Sequence, residues 1–379
     1  MILVALLFFS ALVSFICLPQ LIKALNLSTT APNDQLSNLL RRLLNLRFYF
    51  IAKILFFKAP TRAGKIDKIY VYPLKSVSYI SPTKWEIDEH GLKHDRQYMI
   101  GFWDSKANCY QAYTLRNAPR LSLVSIDYDL EENWFKFTYP KLDGSKSFFK
   151  LPCNVTDEFL AKHIVNIDES DQPSRKITDL WGIKFDSINL GSNLIPQDFY
   201  DSMGLNRDGT TLLYSSKDRT VKTAHPKDLK QMRKVLFQDY FPIHIISQSS
   251  IDELNQRMKK SGVKDRIVEP LQFRPNVVID GNAIELDYWY KVFINGHLWS
   301  IVQKTPRCSI GNVCLDKGEF DKSNSVTRTL RSYRRIDPGD KNGFFLGDDA
   351  IHHDSGYFIN VGDEFYLKQQ KISTSLPLL

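Results

Sequence analysis

The sequence predicts a mixed α/β but predominantly β protein, of barrel or sandwich type with a few helices, and three observations predict it. From Lys65 onward, short runs rich in Val, Ile, Tyr and Phe recur with turn residues between them. A composition of 43% hydrophobic, 24% charged and 12% aromatic residues is that of a folded chain, which sets wholesale disorder aside. Helix signals in the folded body are few, and the 379 residues suffice for two or three domains.

Residues 1–22, "MILVALLFFSALVSFICLPQLI", hold no charged side chain, and at helical rise they span the hydrocarbon core of a bilayer. A cleaved signal peptide would open on positive charge and end at small residues, and a matrix-targeting peptide would be Arg-rich. The segment is therefore read as a transmembrane anchor. The flanking positive charges, Lys23, Arg41, Arg42, Arg47, Lys53 and Lys58, all follow it, which places the body on the cytosolic side. On that reading the sequons at Asn26 and Asn154 go unused. Within the linker 23–63, residues 39–60 alternate basic and apolar character. They suit either an interfacial amphipathic helix against anionic lipid or a helix packed on the first domain.

The folded body then divides into a first domain at 64–186, a second at 187–370 and a tail at 371–379, with the boundary inside "GIKFDSINLGSN". Strands are expected in "KIDKIYVYPLKSV", "TKWEIDEHGL", "RQYMIGFWD" and "LSLVSIDYDLEENWFKFTYP", the last folding as a hairpin around Glu131, Glu132 and Asn133. "SSIDELNQRMKK" at 249–260 reads as a helix capped by Ser250, with Glu253 completing a capping box and Gly262 just past the end. A second helix is expected over 225–237. Strands return in "NVVID", "YKVFING", "LWSIV" and "DEFYL".

A formal net charge of +8 favours anionic partners. Nucleic acid is disfavoured, since basic residues are interspersed with Asp and Glu and no finger, basic-zipper or RNA-binding signature appears. The five cysteines, Cys17, Cys109, Cys153, Cys308 and Cys314, match no small secreted framework and include no CxxC, which speaks for a reducing compartment and against a zinc site. Adjacent His352 and His353 point to opposite sides of an extended segment and so do not form a shared metal site.

Four separated segments place a cation or thiol beside a backbone punctuator: "YPLKS" with Lys75 and Ser76, "GLKHDRQYMI" with Arg96, "FRPNVVIDG" with Arg274 and Asn276, and "PRCSIGN" with Arg307 and Cys308. In this order, together with "QAYTLRNAPRLSLVSI", "LRSYRRIDP" and "INVGDEFYL", they resemble the MOSC proteins, and within them the mitochondrial amidoxime-reducing branch. The resemblance runs from about Lys65 to Leu367. It implies two β-barrel-like domains, the MOSC N-terminal domain and the MOSC barrel, holding a molybdenum pyranopterin cofactor between them.

The resemblance further implies that Cys308 is both the catalytic cysteine and the thiolate ligand of molybdenum, a soft ligand suited to that metal, with Arg307 beside it favouring the anion. Lys75, Ser76, Arg96 and Arg274 match positions that contact the pterin and phosphate, where planar guanidinium groups bind bidentately. Asn276 either joins them or only ties down the turn after Pro275. Lys304, Thr305 and Pro306 depart from the family pattern, as does "DDAIHHDSGYF" near the C-terminus; Pro306 removes a backbone donor next to the ligand.

The activity implied is molybdenum-dependent reduction of small N-hydroxylated substrates, with cytochrome b5 and its NADH-dependent reductase as electron donors. The mitochondrial outer membrane is the implied site, with the endoplasmic reticulum as the alternative. Two rival readings stand beside it. One is a sulfur-carrier protein with a persulfide on Cys308; a pyridoxal phosphate domain is not expected, since only about 60 residues precede the first barrel. The other is an inactive membrane-anchored relative.

Overall fold

A computed structural model describes residues 61–165, 177–215, 219–221, 233–263, 265–281, 287–337, 340 and 342–370. The expected anchor at 1–22 and amphipathic segment at 39–60 lie outside these residues, as does most of the helix expected over 225–237. Among the described residues no helix is long and apolar enough to cross a membrane.

The chain opens on β1 (Thr61–Ile69), followed by β2 (Lys84–Asp88), β3 (Gly91–Leu92), β4 (Tyr98–Asp104) and β5 (Cys109–Ala112). A meander of β6 (Ser125–Asp129), β7 (Trp134–Pro140) and β8 (Lys146–Pro152) comes next. Trp134–Pro140 buries every second side chain, the period-2 pattern of a half-covered sheet, and the β6–β7 turn falls where Glu131, Glu132 and Asn133 were expected to place it. Thr156 caps α1 (Asp157–His163) by accepting from the Phe159 amide at 3.2 Å. Then follow β9 (Ile177–Leu180), β10 (Ile183–Asp186), β11 (Ile188–Asn189), α2 (Gln197–Met203), β12 (Thr210–Tyr214), β13 (Arg219–Val221) and β14 (Arg233–Val235). Here the helix expected over 225–237 is corrected: its described part, 233–237, is not helical, and Arg233–Val235 form a strand paired antiparallel to β13. Val235 and Phe237 are both fully buried, a spacing of two that the helical reading overlooked.

The second half contains β15 (Ile243–Ser247), α3 (Gln248–Lys260), β16 (Val277–Ile279), β17 (Trp289–Ile294), β18 (His297–Pro306), β19 (Val313–Cys314) and β20 (Glu319–Phe320). After α4 (Ser325–Tyr333) come β21 (Phe345–His352), β22 (Tyr357–Asn360) and β23 (Glu364–Gln370). The cap of α3 is Ser247, not the expected Ser250, which is buried one turn inside the helix. The Ser247 hydroxyl accepts from the Ser249 amide, while Glu253 is engaged by Arg257 at 2.7 and 2.9 Å and so is not part of a capping box.

Seven strands close a barrel in the order β1-β16-β15-β21-β18-β17-β23. A second sheet of six strands, β10-β9-β5-β4-β12-β11, stays open, so one of the two expected barrel-like units is a closed barrel and the other is not. That open sheet crosses the expected boundary near 186, because β11 and β12 complete it from the far side. One buried cluster runs without a break from Phe135 and Tyr139 through Tyr98 and Ile69 to Trp289 and Trp299.

Candidate functional site

A cleft of about 280 Å³ lies where segments of the open sheet meet the mouth of the barrel, and every site residue singled out in the sequence lines it: Lys75, Ser76, Arg96, Arg274, Asn276, Arg307 and Cys308. They arrive from four stretches of chain. Lys75 and Ser76 follow β1, Arg96 precedes β4, Arg274 and Asn276 precede β16, and Arg307 and Cys308 follow β18.

Backbone strain marks the same place. Nine non-glycine residues among those described have positive φ, and four of them are Asn, which tolerates that region at turns. Of the other five, Ser76, Arg96, Trp181 and Arg274 all line the cleft. Such conformations cost on the order of 1–3 kcal/mol each and persist where the surroundings over-determine them. Tyr72 supplies part of that determination: the Arg96 and Arg274 guanidinium groups each sit 4.2 Å from its ring centroid. Its hydroxyl donates to Pro275 O at 2.9 Å, and its amide donates to Asp95.

The cations differ in how their donors are used. Lys75 donates to Phe237 O at 2.8 Å and to Asp239 at 2.5 Å. Partial burial works against the Asp239 charge, yet the Lys75 ammonium and the Trp181 indole hold its carboxyl well below the usual range. Arg96 is paired with the fully buried Asp95 at 2.5 Å and donates to Arg274 O at 3.1 Å. Arg274 donates from Nη1 to Val77 O at 2.6 Å, while its buried Nη2 has no hydrogen-bond partner among the described residues. Burial pulls the Arg274 pKa down to about 10, which leaves the group charged at neutral pH.

Arg307 is committed to the protein. It donates to Leu346 O, to Phe273 O at 3.2 Å and to the Nε2 of His244. These bonds pin the end of β18 to β21 and to the loop before β16. Gly347, at φ 76, makes room: a Cβ there would lie 2.5 Å from Ile245 O and 2.7 Å from the His244 ring. Burial and the neighbouring Arg307 charge push the His244 pKa well below its ordinary value, so its imidazole is neutral and accepts. The Asn276 amide is likewise spent on backbone, donating to Tyr70 O and accepting from the His244 amide at 3.1 Å, so it braces the turn after Pro275.

Cys308 itself is exposed, and Cys109, Cys153 and Cys314 are also free thiols. It lies between the end of β18 and a short 3-10 turn, Ser309–Asn312, whose Gly311 abuts the Phe273 ring. The departures before it are built into the barrel: Lys304 is buried on Asp287 O, and the Thr305 hydroxyl donates to Asp349 at 2.8 Å. Burial raises the Asp349 carboxyl to about 6, against the hydrogen bonds from Gln303 and Thr305 and the charge of Arg307. His352 and His353 bond to different partners, Asp354 O and Ser300, and no cluster of metal-ligating side chains occurs among the described residues.

Sequence reasoning missed Tyr72, Asp95, Asp239, His244, Asp349 and Trp181. Asp95 alone carried a local signal, since it precedes Arg96; the others act through partners distant in sequence.

An exposed thiol thus stands at a barrel mouth, on a cleft lined by five cations against the two carboxylates Asp239 and Asp349. The chain belongs to the MOSC-domain proteins: residues 63–179 match the MOSC N-terminal beta barrel domain and residues 232–366 the MOSC domain. It is similar to mitochondrial amidoxime reducing component 2 of Rattus norvegicus, 29% identical over 74% of this chain and 75% of that one. The Homo sapiens protein of the same name is 27% identical over the same shares. A molybdenum cofactor sulfurase of Arabidopsis thaliana is 26% identical over 72% of this chain and 31% of its own length.

Proposed function

We propose that the protein is a molybdenum-cofactor-dependent oxidoreductase that reduces N-hydroxylated compounds. The carrying observation is the juxtaposition of the exposed Cys308 thiol with a buried Arg274 donor, Nη2, that has no partner among the described residues, in a cation-lined cleft. Those residues fit the group: a soft thiolate suits molybdenum, and an unpaired guanidinium donor suits a phosphate oxygen. When bound, the cofactor would supply the two electrons that, with two protons, convert N–OH to N–H and water.

The chain's own residues do the rest. Cys308 would hold the metal, and Arg274, Arg96 and Lys75 would grip the phosphate and pterin. Arg307, spent on Leu346, Phe273 and His244, would fix the strand end that carries Cys308. Asp349, half-protonated near pH 6, would hold a proton at the cleft wall. Electrons would come from a cytochrome b5 and its NADH-dependent reductase, acidic partners that a chain of net charge +8 would steer into place. An anchor at residues 1–22 would hold the protein on the mitochondrial outer membrane, with the endoplasmic reticulum as the alternative.

Similarity to the sulfurases supports a second reading, in which Cys308 carries a persulfide. Metal and pterin analysis of the full chain, expressed in a host that makes the cofactor, separates the two. The parent is expected to hold molybdenum and pterin, Cys308→Ser to lose activity, and Cys314→Ser to keep it. Arg274→Ala is expected to lower cofactor affinity about tenfold or more, since a charge-assisted hydrogen bond contributes roughly 1.5–3 kcal/mol. A parent that folds but comes out empty overturns the reductase reading.

A further inference from the structure

The turn joining β9 to β10 is Trp181–Gly182, with φ 59 and 82. This is a two-residue hairpin turn of the left-handed kind, where Asn-Gly would fit without strain. A bulky indole is a costly choice there, and the structure holds it in place. Its Nε1 donates to Asp239 at 3.1 Å, and Asp239 is itself gripped by Lys75. Tyr240 lies nearly parallel to it, with ring centroids 6.1 Å apart and planes at 23°, and the Arg116 guanidinium sits 4.6 Å from the Trp181 ring. Despite these contacts Trp181 is 42% and Tyr240 37% exposed, and both line the same cleft as Cys308.

We propose that Trp181 and Tyr240, steadied by Arg116, form a stacking subsite at the rim of the cleft for the aromatic ring of an aryl N-hydroxylated substrate. The proposal rests on the reductase reading and deepens it by naming the substrate class. The rings are held before any ligand arrives, so little side-chain freedom is lost on binding. Offset stacking adds to area burial by an amount that corresponds to about three- to tenfold in affinity. The pterin is also planar and aromatic. The cations suited to its phosphate, Arg96 and Arg274, gather instead around Tyr72, and the exposed rim is left to the molecule that must come and go.

The test compares benzamidoxime with acetamidoxime on the full-length parent, Trp181→Ala, Trp181→Phe and Tyr240→Ala. Calorimetric titration of the protein as purified needs no turnover. Benzamidoxime is expected to bind the parent more tightly than acetamidoxime. Trp181→Ala should lose three- to tenfold for the aryl probe alone, and Trp181→Phe should recover most of the loss. In turnover, the aryl KM should rise with kcat unchanged. Equal losses for both probes, no loss for either, or a fall in pterin content with Trp181→Ala would overturn the subsite. A parent without molybdenum would defeat the reductase reading alone, since a ring-selective loss in the titration would still support stacking.

Discussion

Arg274 and Arg307 are both half-buried cations lining the cleft, and they spend their donors in opposite ways. Arg307 gives its donors to protein acceptors and so holds a strand end, whereas Arg274 keeps Nη2 unpartnered among the described residues, the donor that the proposed function assigns to a ligand. Both were legible in the sequence because each stands beside a proline, at Pro275 and Pro306. His244 and Asp349 were not, since β15 and β21 are buried along their whole length and show no alternation from which a polar role can be read. Asp349 has a consequence for stability. Its carboxyl titrates near 6 in the fold and near 3.8 when unfolded, so the fold binds the proton more tightly. That contribution is fully present below about pH 4 and is lost as the pH rises through 6. Relative to Asp349→Asn, the parent is expected to lose roughly 2–3 kcal/mol between pH 4 and pH 7, measured as urea unfolding free energy. Parallel curves for the two proteins would show that the carboxyl is not perturbed.

At the scale of elements, strands and helices were largely readable from pattern, while their ends were decided by hydrogen bonds that pattern does not reveal. Three serines, Ser247, Ser249 and Ser250, precede the same apolar periodicity, and the sequence favours Ser250 because Glu253 follows it. The barrel decides otherwise: β15 ends at Ser247, whose hydroxyl bonds both the Ser249 amide and Gly281 O, tying the helix start to the chain after β16. Ser247→Ala is therefore expected to cost about 1 kcal/mol or more, and Ser250→Ala to stay within roughly 0.5 kcal/mol. Chemical denaturation of the two variants decides it, and the reverse order would restore the capping box. The strand at Arg233–Val235 teaches the same lesson, because its short partner, Arg219–Val221, lies across a long connection.

For the whole molecule, the decisive feature is that the barrel borrows its first strand from the opposite end of the chain. β1 lies between β16 and β23, pairing Ile66 with Ile279 and Thr61 with Leu367, while β22 leaves the barrel to pair with β2. Composition and periodicity pointed to β structure but carry no information on which distant strands meet, so neither the closure by β1 nor the open sheet beyond residue 186 was readable. A fragment of residues 232–370 is expected not to fold alone, since without β1 the edges of β16 and β23 stay unpaired. Co-expressed with residues 61–221, it is expected to elute as a soluble complex in gel filtration. A monomeric fragment 232–370 with cooperative unfolding would show that the barrel closes by itself. The same pairing sets a timetable during synthesis. At about 5–20 residues per second, β1 leaves the ribosome on the order of tens of seconds before Leu367 is made, and through that interval an amphipathic strand, with Ile66 and Ile69 on its buried face, waits with both edges open until β16 is made and with one open until β23 follows. The nascent chain thus has a period in which aggregation competes with folding, and its yield in the cell depends on how well that strand is sheltered until the last residues of the barrel emerge.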